Sequence, residues 1–293
     1  MIKNKTNLPY ISLVALTVFG NGALTFKFSS VNGADFITAL VALIITVAAF
    51  ALFLKLALFI KKRIEPKENF KTAWSVIFLL AGLLSLSFAL FSLVSLTEIS
   101  LNTFAKEIKI GVIILGFILT VAGMVYANKK VFLKFSLIVF PVVFGLTLLI
   151  FLFGTPYMSI KYLYIDSFSQ VFNLERFLEP LISWFLPVCL PLIVICIDKP
   201  SSIVIGATIG SGFLVLTILN TILIFGSAFA SELFYPYAHA VGTVSIGELF
   251  SRMDASFYPT IFFPGIIRIS VQTLAAVKLF FKAKKYKKIA INY

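Results

Sequence analysis

The chain has 293 residues, of which 60% are hydrophobic and 13% charged, and its mean hydropathy is +1.05. Soluble domains carry about 25% charged residues, so this composition excludes an ordinary soluble domain and indicates a polytopic membrane protein. A net charge of +13 would favour nucleic-acid binding in a soluble chain. Here most lysines and arginines lie in short connections between apolar runs, where they set membrane topology instead.

The apolar runs predict an all-α protein, a single integral membrane domain over residues 1–293 with about eight transmembrane helices. The predicted spans are 8–26, 36–60, 72–97, 108–127, 131–155, 181–197, 201–229 and 256–281. The basic clusters that flank spans 1, 2, 3, 4, 5 and 8 fall on one side if both termini are cytoplasmic. We expect the basic tail, residues 282–293, to set topology and to contact anionic lipid.

The first span, from Ile11 to Lys27, reads ISLVALTVFGNGALTFK. Gly20 and Gly22 flank Asn21, and glycine is unfavourable in a helix interior. Exposed backbone at membrane depth is tolerated only where protein or a water-filled cavity receives it. This sequence therefore predicts a helix that is broken beside a binding site.

The sixth span reads LISWFLPVCLPLIVICI, and its Pro187 and Pro191 each remove a helix hydrogen bond. Interrupted helices at matching depth in the two halves of a chain are typical of transporter-type sites. We therefore predict a second break at Pro187 and Val188; the alternative is that the glycines and prolines only kink their helices. The predicted ligand-binding residues at the two breaks are Gly20, Asn21, Gly22, Pro187 and Val188.

Arg268 lies near the centre of span 8, where an arginine costs about 2.5–3.5 kcal/mol on insertion scales. No Asp or Glu lies in the middle of any predicted span, so Arg268 lacks an obvious carboxylate at its depth. We predict that it binds carbonyl groups at the span 1 break, a ligand carboxylate, or both. The alternative is a structural arginine that reaches water along a polar groove with Ser270 and Gln272.

Span 7 carries polar and small residues. Thr217, Asn220 and Thr221 share one face of the predicted helix, which favours interhelical hydrogen bonds over ligand contact. Gly206, Gly210 and Gly212 are expected to allow close helix packing.

The sequence shows no constellation for catalysis or metal binding. It lacks a nucleophile elbow, a phosphate-binding loop and paired intramembrane carboxylates. His239 is the only histidine and has no second His or Cys nearby. Cys189 and Cys196 lie two turns apart on one helix, about 10.5 Å, which is too far for a disulfide. We therefore expect no enzyme activity, no metal and no cofactor.

The loop that leads into span 8 reads FYPYAHAVGTVSIGELFSRMDASF. It resembles the B-subunit family of spore germinant receptors, the spore-germination permeases of endospore-forming Firmicutes, which carry a stretch like PxYxxARxISIGEFLERxE before a helix with a basic residue like Arg268. The residues that match in register are Pro236, Ser245, Ile246, Gly247, Glu248 and Arg252. Tyr237 sits one place early, Leu249-Phe250 reverses the family's order, and Asp254 replaces Glu. Gly33-Ala34-Asp35 and residues 126–144 resemble two further family segments.

The resemblance implies the amino acid–polyamine–organocation superfamily, whose LeuT-like fold has ten spans in two inverted five-helix repeats with spans 1 and 6 broken. The first repeat would occupy about 8–155 and an incomplete second repeat about 181–281. Sodium-coupled relatives hold an ion between spans 1 and 8, so the charge of Arg268 is a candidate replacement for it. Two departures are expected to matter: Gly242 replaces the family's arginine, and the chain ends where the last two spans would follow.

We therefore expect a germinant receptor subunit in the spore inner membrane or the cell membrane, which binds a small nutrient such as an amino acid. The resemblance implies A and C subunits as partners. The residues expected to form a partner or gating loop are Tyr235, Pro236, Tyr237, Glu248, Arg252 and Asp254; an ion pair that only holds the loop's shape is the alternative. The alternative functions are an amino-acid permease and a scaffold that binds no ligand.

Overall fold

The structure is a computed structural model, and it describes residues 7–25, 34–63, 71–103, 109–127, 129–163, 186–233, 235–244 and 254–291. Throughout these ranges the regular structure is helical, and no strand occurs in them. The α-helices are α1 (Leu8–Thr25), α2 (Ala34–Arg63), α3 (Lys71–Thr103), α4 (Ile110–Tyr126), α5 (Lys129–Gly154), α6 (Leu186–Cys196), α7 (Pro200–Phe225), α8 (Ser227–Glu232), α9 (Pro236–Thr243) and α10 (Asp254–Ile291). Two short 3₁₀ segments, Thr155–Tyr157 and Ile160–Leu163, follow α5.

A helix occupies each of the eight predicted span positions, which confirms the all-α prediction. Five helices are long and apolar enough to cross a membrane, at Ala39–Leu58, Ala73–Asn102, Lys129–Tyr157, Pro200–Phe225 and Tyr258–Tyr286. The apolar helices at spans 1, 4 and 6 are shorter, at Leu8–Ala23, Ile110–Tyr126 and Pro187–Cys196. The chain is therefore an integral membrane protein with five such helices in its described part, and the count of eight spans stays a prediction.

The outer faces of several helices are apolar and exposed. Val94 on α3 is 63% exposed, Leu119 on α4 63% and Ile138 on α5 68%. In water, contiguous exposed apolar surface of this kind would favour aggregation or association. Lipid chains solvate such a surface well, so the faces agree with a membrane location.

Helix α10 is the centre of the bundle, where it packs against α3, α1, α6, α5 and α4. Helix α1 lies between α7, α10 and α5 and is buried from Ile11 to Gly22. A Cβ atom on Gly206 would lie 2.6 Å from the Cβ of Val14, and one on Gly210 would collide with the carbonyl oxygen of Ala15. The prediction that these two glycines allow close packing is confirmed.

The predicted break in the first span is wrong. Helix α1 runs without interruption through Gly20, Asn21 and Gly22. A Cβ atom on Gly20 would lie 2.7 Å from backbone atoms of Pro264 in α10, and one on Gly22 would collide with Leu214 of α7. The two glycines bring α1 close to its neighbours, and this packing overrides their low helix propensity of about 1 kcal/mol each.

The structure describes only part of the predicted break in the sixth span. Helix α6 begins at Leu186 and continues through Pro191 to Cys196. Pro187 is the second residue of α6 within the described part of the chain. Residues 164–185 are outside the described part of the chain, so a break before Pro187 stays a prediction, as does the inverted-repeat arrangement.

Candidate functional site

Arg268 lies inside the bundle on α10, and only 1% of its surface is exposed. Its Nε and Nη1 atoms have no hydrogen-bond acceptor in the portion of the chain that the structure describes. Most of the N–H donors of a guanidinium are carried by these two atoms. A buried charge without partners is costly in a medium of low dielectric constant. The described residues therefore leave these donors of Arg268 unsatisfied.

The two side chains proposed to form a polar groove with Arg268 are engaged elsewhere. The Ser270 hydroxyl donates to the Ile266 carbonyl of its own helix at 2.8 Å. The Gln272 amide bonds α6 and α3 instead. Neither side chain satisfies the guanidinium, and the structure gives the groove interpretation no support.

Gln272 is one turn beyond Arg268 and joins three helices. Its Nε2 donates to the Pro187 carbonyl of α6 at 3.1 Å, and its Oε1 accepts from the Ser92 hydroxyl of α3 at 3.0 Å. Because Pro191 has no N–H, the carbonyl four residues earlier, at Pro187, cannot be paired within α6. Gln272 supplies the missing donor, which removes a penalty of about 1–3 kcal/mol for an unpaired buried group.

Helices α1 and α6 contact α10 on either side of Arg268. Gly20 packs against Pro264, one turn before Arg268, and the Pro187 carbonyl is bound by Gln272, one turn after it. Pro264 and Gln272 are separated by about 12 Å along the axis, at about 1.5 Å per residue. The structure thus brings the predicted site segments around Arg268, although at different levels along α10.

The backbone of α1 does not provide the carbonyl groups that the sequence predicts for Arg268. Helix α1 continues to Thr25, so the carbonyls of Gly20 and Asn21 fall within its hydrogen-bonding pattern. The expected role of free carbonyls at the span 1 break is wrong for these two residues. The other partner predicted for Arg268, a ligand carboxylate, stays a prediction.

Asn220 on α7 is a second buried polar group, 1% exposed, and neither atom of its amide has a hydrogen-bond partner within the described ranges. It lies against α5, since a Cβ atom on Gly154 would come within 2.9 Å of its Oδ1. The Thr217 and Thr221 hydroxyls donate to the carbonyls of Phe213 and Thr217 in their own helix. Among the described residues, none of these three side chains makes the predicted interhelical hydrogen bond.

Two further sequence predictions concern Gly212 and the two cysteines. Open space surrounds a Cβ atom built on Gly212, so the packing role expected for it is wrong. Cys189 and Cys196 are both buried and free, as their spacing predicts.

The structure describes only part of the predicted partner or gating loop. Tyr235 is half-buried and accepts a long hydrogen bond, 3.5 Å, from Asn102 Nδ2 of α3. Pro236 begins α9. Glu248 and Arg252 lie outside the described residues, and Asp254 is described only as the first residue of α10, without its side chain. The ion-pair and partner-contact interpretations of this loop stay predictions.

Tyr237 anchors the described part of this loop. It is buried on α9, close to the side chains of Thr147 on α5 and Thr260 on α10. Burial raises the pKa of Tyr237 to about 12, so the hydroxyl stays protonated at physiological pH. The short helix α9 is thereby fastened to the two long helices that flank it.

Sequence reasoning identified Arg268 but missed the role of Gln272. The signal was present, since a proline inside a helix predicts an orphaned carbonyl four residues before it. The helix that supplies the donor depends on tertiary packing, which a single sequence does not reveal.

Comparison of the chain with protein-family models, with curated proteins and with solved structures finds no match.

Proposed function

We propose that the chain is a membrane subunit of a spore germinant receptor, which binds a small nutrient such as an amino acid and signals through A and C subunits. The observation that carries the proposal is the buried Arg268, whose Nε and Nη1 atoms lack acceptors in the described structure. The resemblance of the loop before α10 to the receptor B subunits supplies the biological role. The site of action would be the spore inner membrane or the cell membrane, with both termini cytoplasmic.

The ligand chemistry follows from the guanidinium. A carboxylate accepts paired, charge-assisted hydrogen bonds from arginine, each about twice as strong as a neutral one. The low dielectric constant of a buried site strengthens this interaction further. An α-amino acid satisfies the requirement through its carboxylate, and the backbone or side chains around Arg268 would receive its ammonium group.

The signal would follow from the position of Arg268 between two helix contacts. Gln272, one turn away, holds α6 to α10, and Gly20 holds α1 to α10 on the other side. A ligand shifts an equilibrium only if it binds one conformation more tightly than the other. Charge pairing at Arg268 would provide this difference by favouring the arrangement that closes α1 and α6 around the ligand.

Deletion of the gene and transport by the purified protein distinguish the receptor from a permease. The receptor proposal predicts that the deletion abolishes germination in response to one nutrient class, while the purified protein in liposomes shows no counterflow of that nutrient. Counterflow would establish the permease alternative. Normal germination with all nutrients would contradict the receptor role. Nutrient titrations without heat, with subunit association preserved, would identify a scaffold.

A further inference from the structure

Lysines gather at the end of the bundle where α5 begins, α6 ends and α7 begins. We propose that this basic cluster, defined as Lys129, Lys199, Lys278 and Lys282, binds the phosphate headgroup of an anionic membrane lipid. The proposal is independent of nutrient binding at Arg268, which lies further along α10. It concerns side chains on the described helices, and Lys282 is the one member that it shares with the basic tail.

Lys129 is held in place before any ligand arrives. Its Nζ donates to the Ile195 carbonyl in the last turn of α6 at 3.0 Å and lies 5.0 Å from the centroid of the Tyr10 ring on α1. An ammonium group has three donors, so it can bind an anion in addition to Ile195. A pre-positioned side chain loses less conformational entropy on binding.

Lys278 brings further positive charge to the same place. It is half-buried on α10, and its charge is repelled by those of Lys129 and Lys282, with Asp198 as the nearby acidic group. The Cys196 thiol is close to Lys129, Lys278 and Asp198, which locates the cluster at the end of α6. Folding therefore places like charges together with a surplus of positive charge, and a bound anion relieves their repulsion.

The start of α7 adds a second source of positive potential. Lys199 is the N-cap residue of this helix, and no side chain caps its first N–H groups. The N-terminus of a helix carries a partial positive charge and free N–H donors, which favour phosphate groups. Pro200 has no N–H, and the Ser202 N–H donates to the Lys199 carbonyl at 3.1 Å. The headgroup would thus meet the lysine side chains as donors, and the start of α7 would contribute mainly its partial positive charge.

The apolar surroundings favour a lipid over a soluble phosphate. Exposed Val131 and Phe281 stand beside Lys129 and Lys282 in sequence, and Leu8 is exposed at the start of α1. A phosphate bound to the cluster would leave its acyl chains free to cover these side chains. The positive-inside rule places this end of the bundle at the cytoplasmic leaflet, where basic sites between helices bind anionic headgroups.

The test uses the full-length protein in nanodiscs of phosphatidylcholine, with and without phosphatidylglycerol. Thermal unfolding is followed by the reaction of a thiol-specific dye with buried Cys189 and Cys196. We expect phosphatidylglycerol to raise the unfolding temperature, because a ligand that binds the native state stabilises it. The Lys278→Gln, Lys282→Gln double variant should lose more than half of this rise. Lys109→Gln, at the opposite end of the bundle, should keep it.

Each other outcome overturns a definite part of the proposal. A rise that survives in the double variant, or that never occurs in the native protein, contradicts the site. If glycerol 1-phosphate in phosphatidylcholine nanodiscs raises the unfolding temperature equally, the cluster binds a soluble phosphate, and the assignment to a lipid is overturned. If the double variant does not fold, the Lys199→Gln, Lys282→Gln variant carries the same test, since both side chains are exposed.

Discussion

Replacement of Arg268 by methionine is expected to stabilise the ligand-free protein while it abolishes nutrient binding. The charge of Arg268 is buried, and its Nε and Nη1 atoms lack acceptors in the described structure. Methionine keeps a long, flexible side chain of similar shape and removes both the charge and the unsatisfied donors. The native arginine would then be retained for ligand binding at a cost in stability.

The size of the effect follows from opposing terms. An arginine at the membrane centre costs about 2.5–3.5 kcal/mol on insertion scales. A substitution that roughly conserves side-chain volume costs up to about 1.5 kcal/mol in lost packing. The Arg268→Met protein should therefore be more stable by about 1–3.5 kcal/mol, and its unfolding temperature should rise by about 2–14 °C.

The assay is thermal unfolding in detergent without nutrient, with the buried thiols of Cys189 and Cys196 as reporters. Gln272→Met is the matched control, one turn further along α10. Because Gln272 is bonded to Ser92 and to the Pro187 carbonyl, its loss should destabilise the protein by about 1–3 kcal/mol. The two neighbouring substitutions should thus act with opposite sign.

A lower unfolding temperature for Arg268→Met would refute this reasoning. It would show that the arginine stabilises the ligand-free protein, as the interpretation of Arg268 as a structural residue requires. If Arg268→Met is more stable but its nutrient affinity is unchanged, the buried charge destabilises the protein as proposed, but it does not bind the ligand.

Two further substitutions test the packing of the bundle. Gly210→Ala should destabilise the protein by about 1–3 kcal/mol, because the added methyl group collides with the α1 backbone. Gly212→Ala should stabilise it by about 0.5–1 kcal/mol, because the methyl group there meets open space. Chemical unfolding of the two variants measures both free-energy changes. Pro191→Ala restores an N–H for the Pro187 carbonyl, so a double-mutant cycle with Gln272→Leu should show a coupling of about 0.5–2 kcal/mol. Strictly additive effects would contradict the role given to the Gln272 amide.

The fold was predictable where it depends on the length and polarity of single segments. Each apolar run became a helix because an apolar segment in lipid must satisfy its backbone internally. The break at Gly20 and Gly22 was predicted from helix propensity, and it fails because both glycines are packed against Pro264 and Leu214. Tertiary packing routinely overrides propensity differences of about 1 kcal/mol.

The candidate site was predictable to the same limited degree. A charge within an apolar run identifies Arg268 from sequence alone. The neighbours of that charge depend on which helices adjoin α10, so the Gln272 contacts with Ser92 and Pro187 could not be foreseen. For the same reason the interhelical hydrogen bond predicted for Asn220 is not found among the described residues.

Isothermal titration of the purified full-length protein with amino acids and with the matching decarboxylated amines tests the central claim most directly. We expect heat from an amino acid and none from its amine. In a normally inserted Arg268→Gln variant the affinity should fall by about 10- to 100-fold, as the loss of a charged hydrogen bond worth about 1.5–3 kcal/mol implies. Equal affinity of Arg268→Gln and the native protein for the amino acid would contradict a carboxylate site at Arg268.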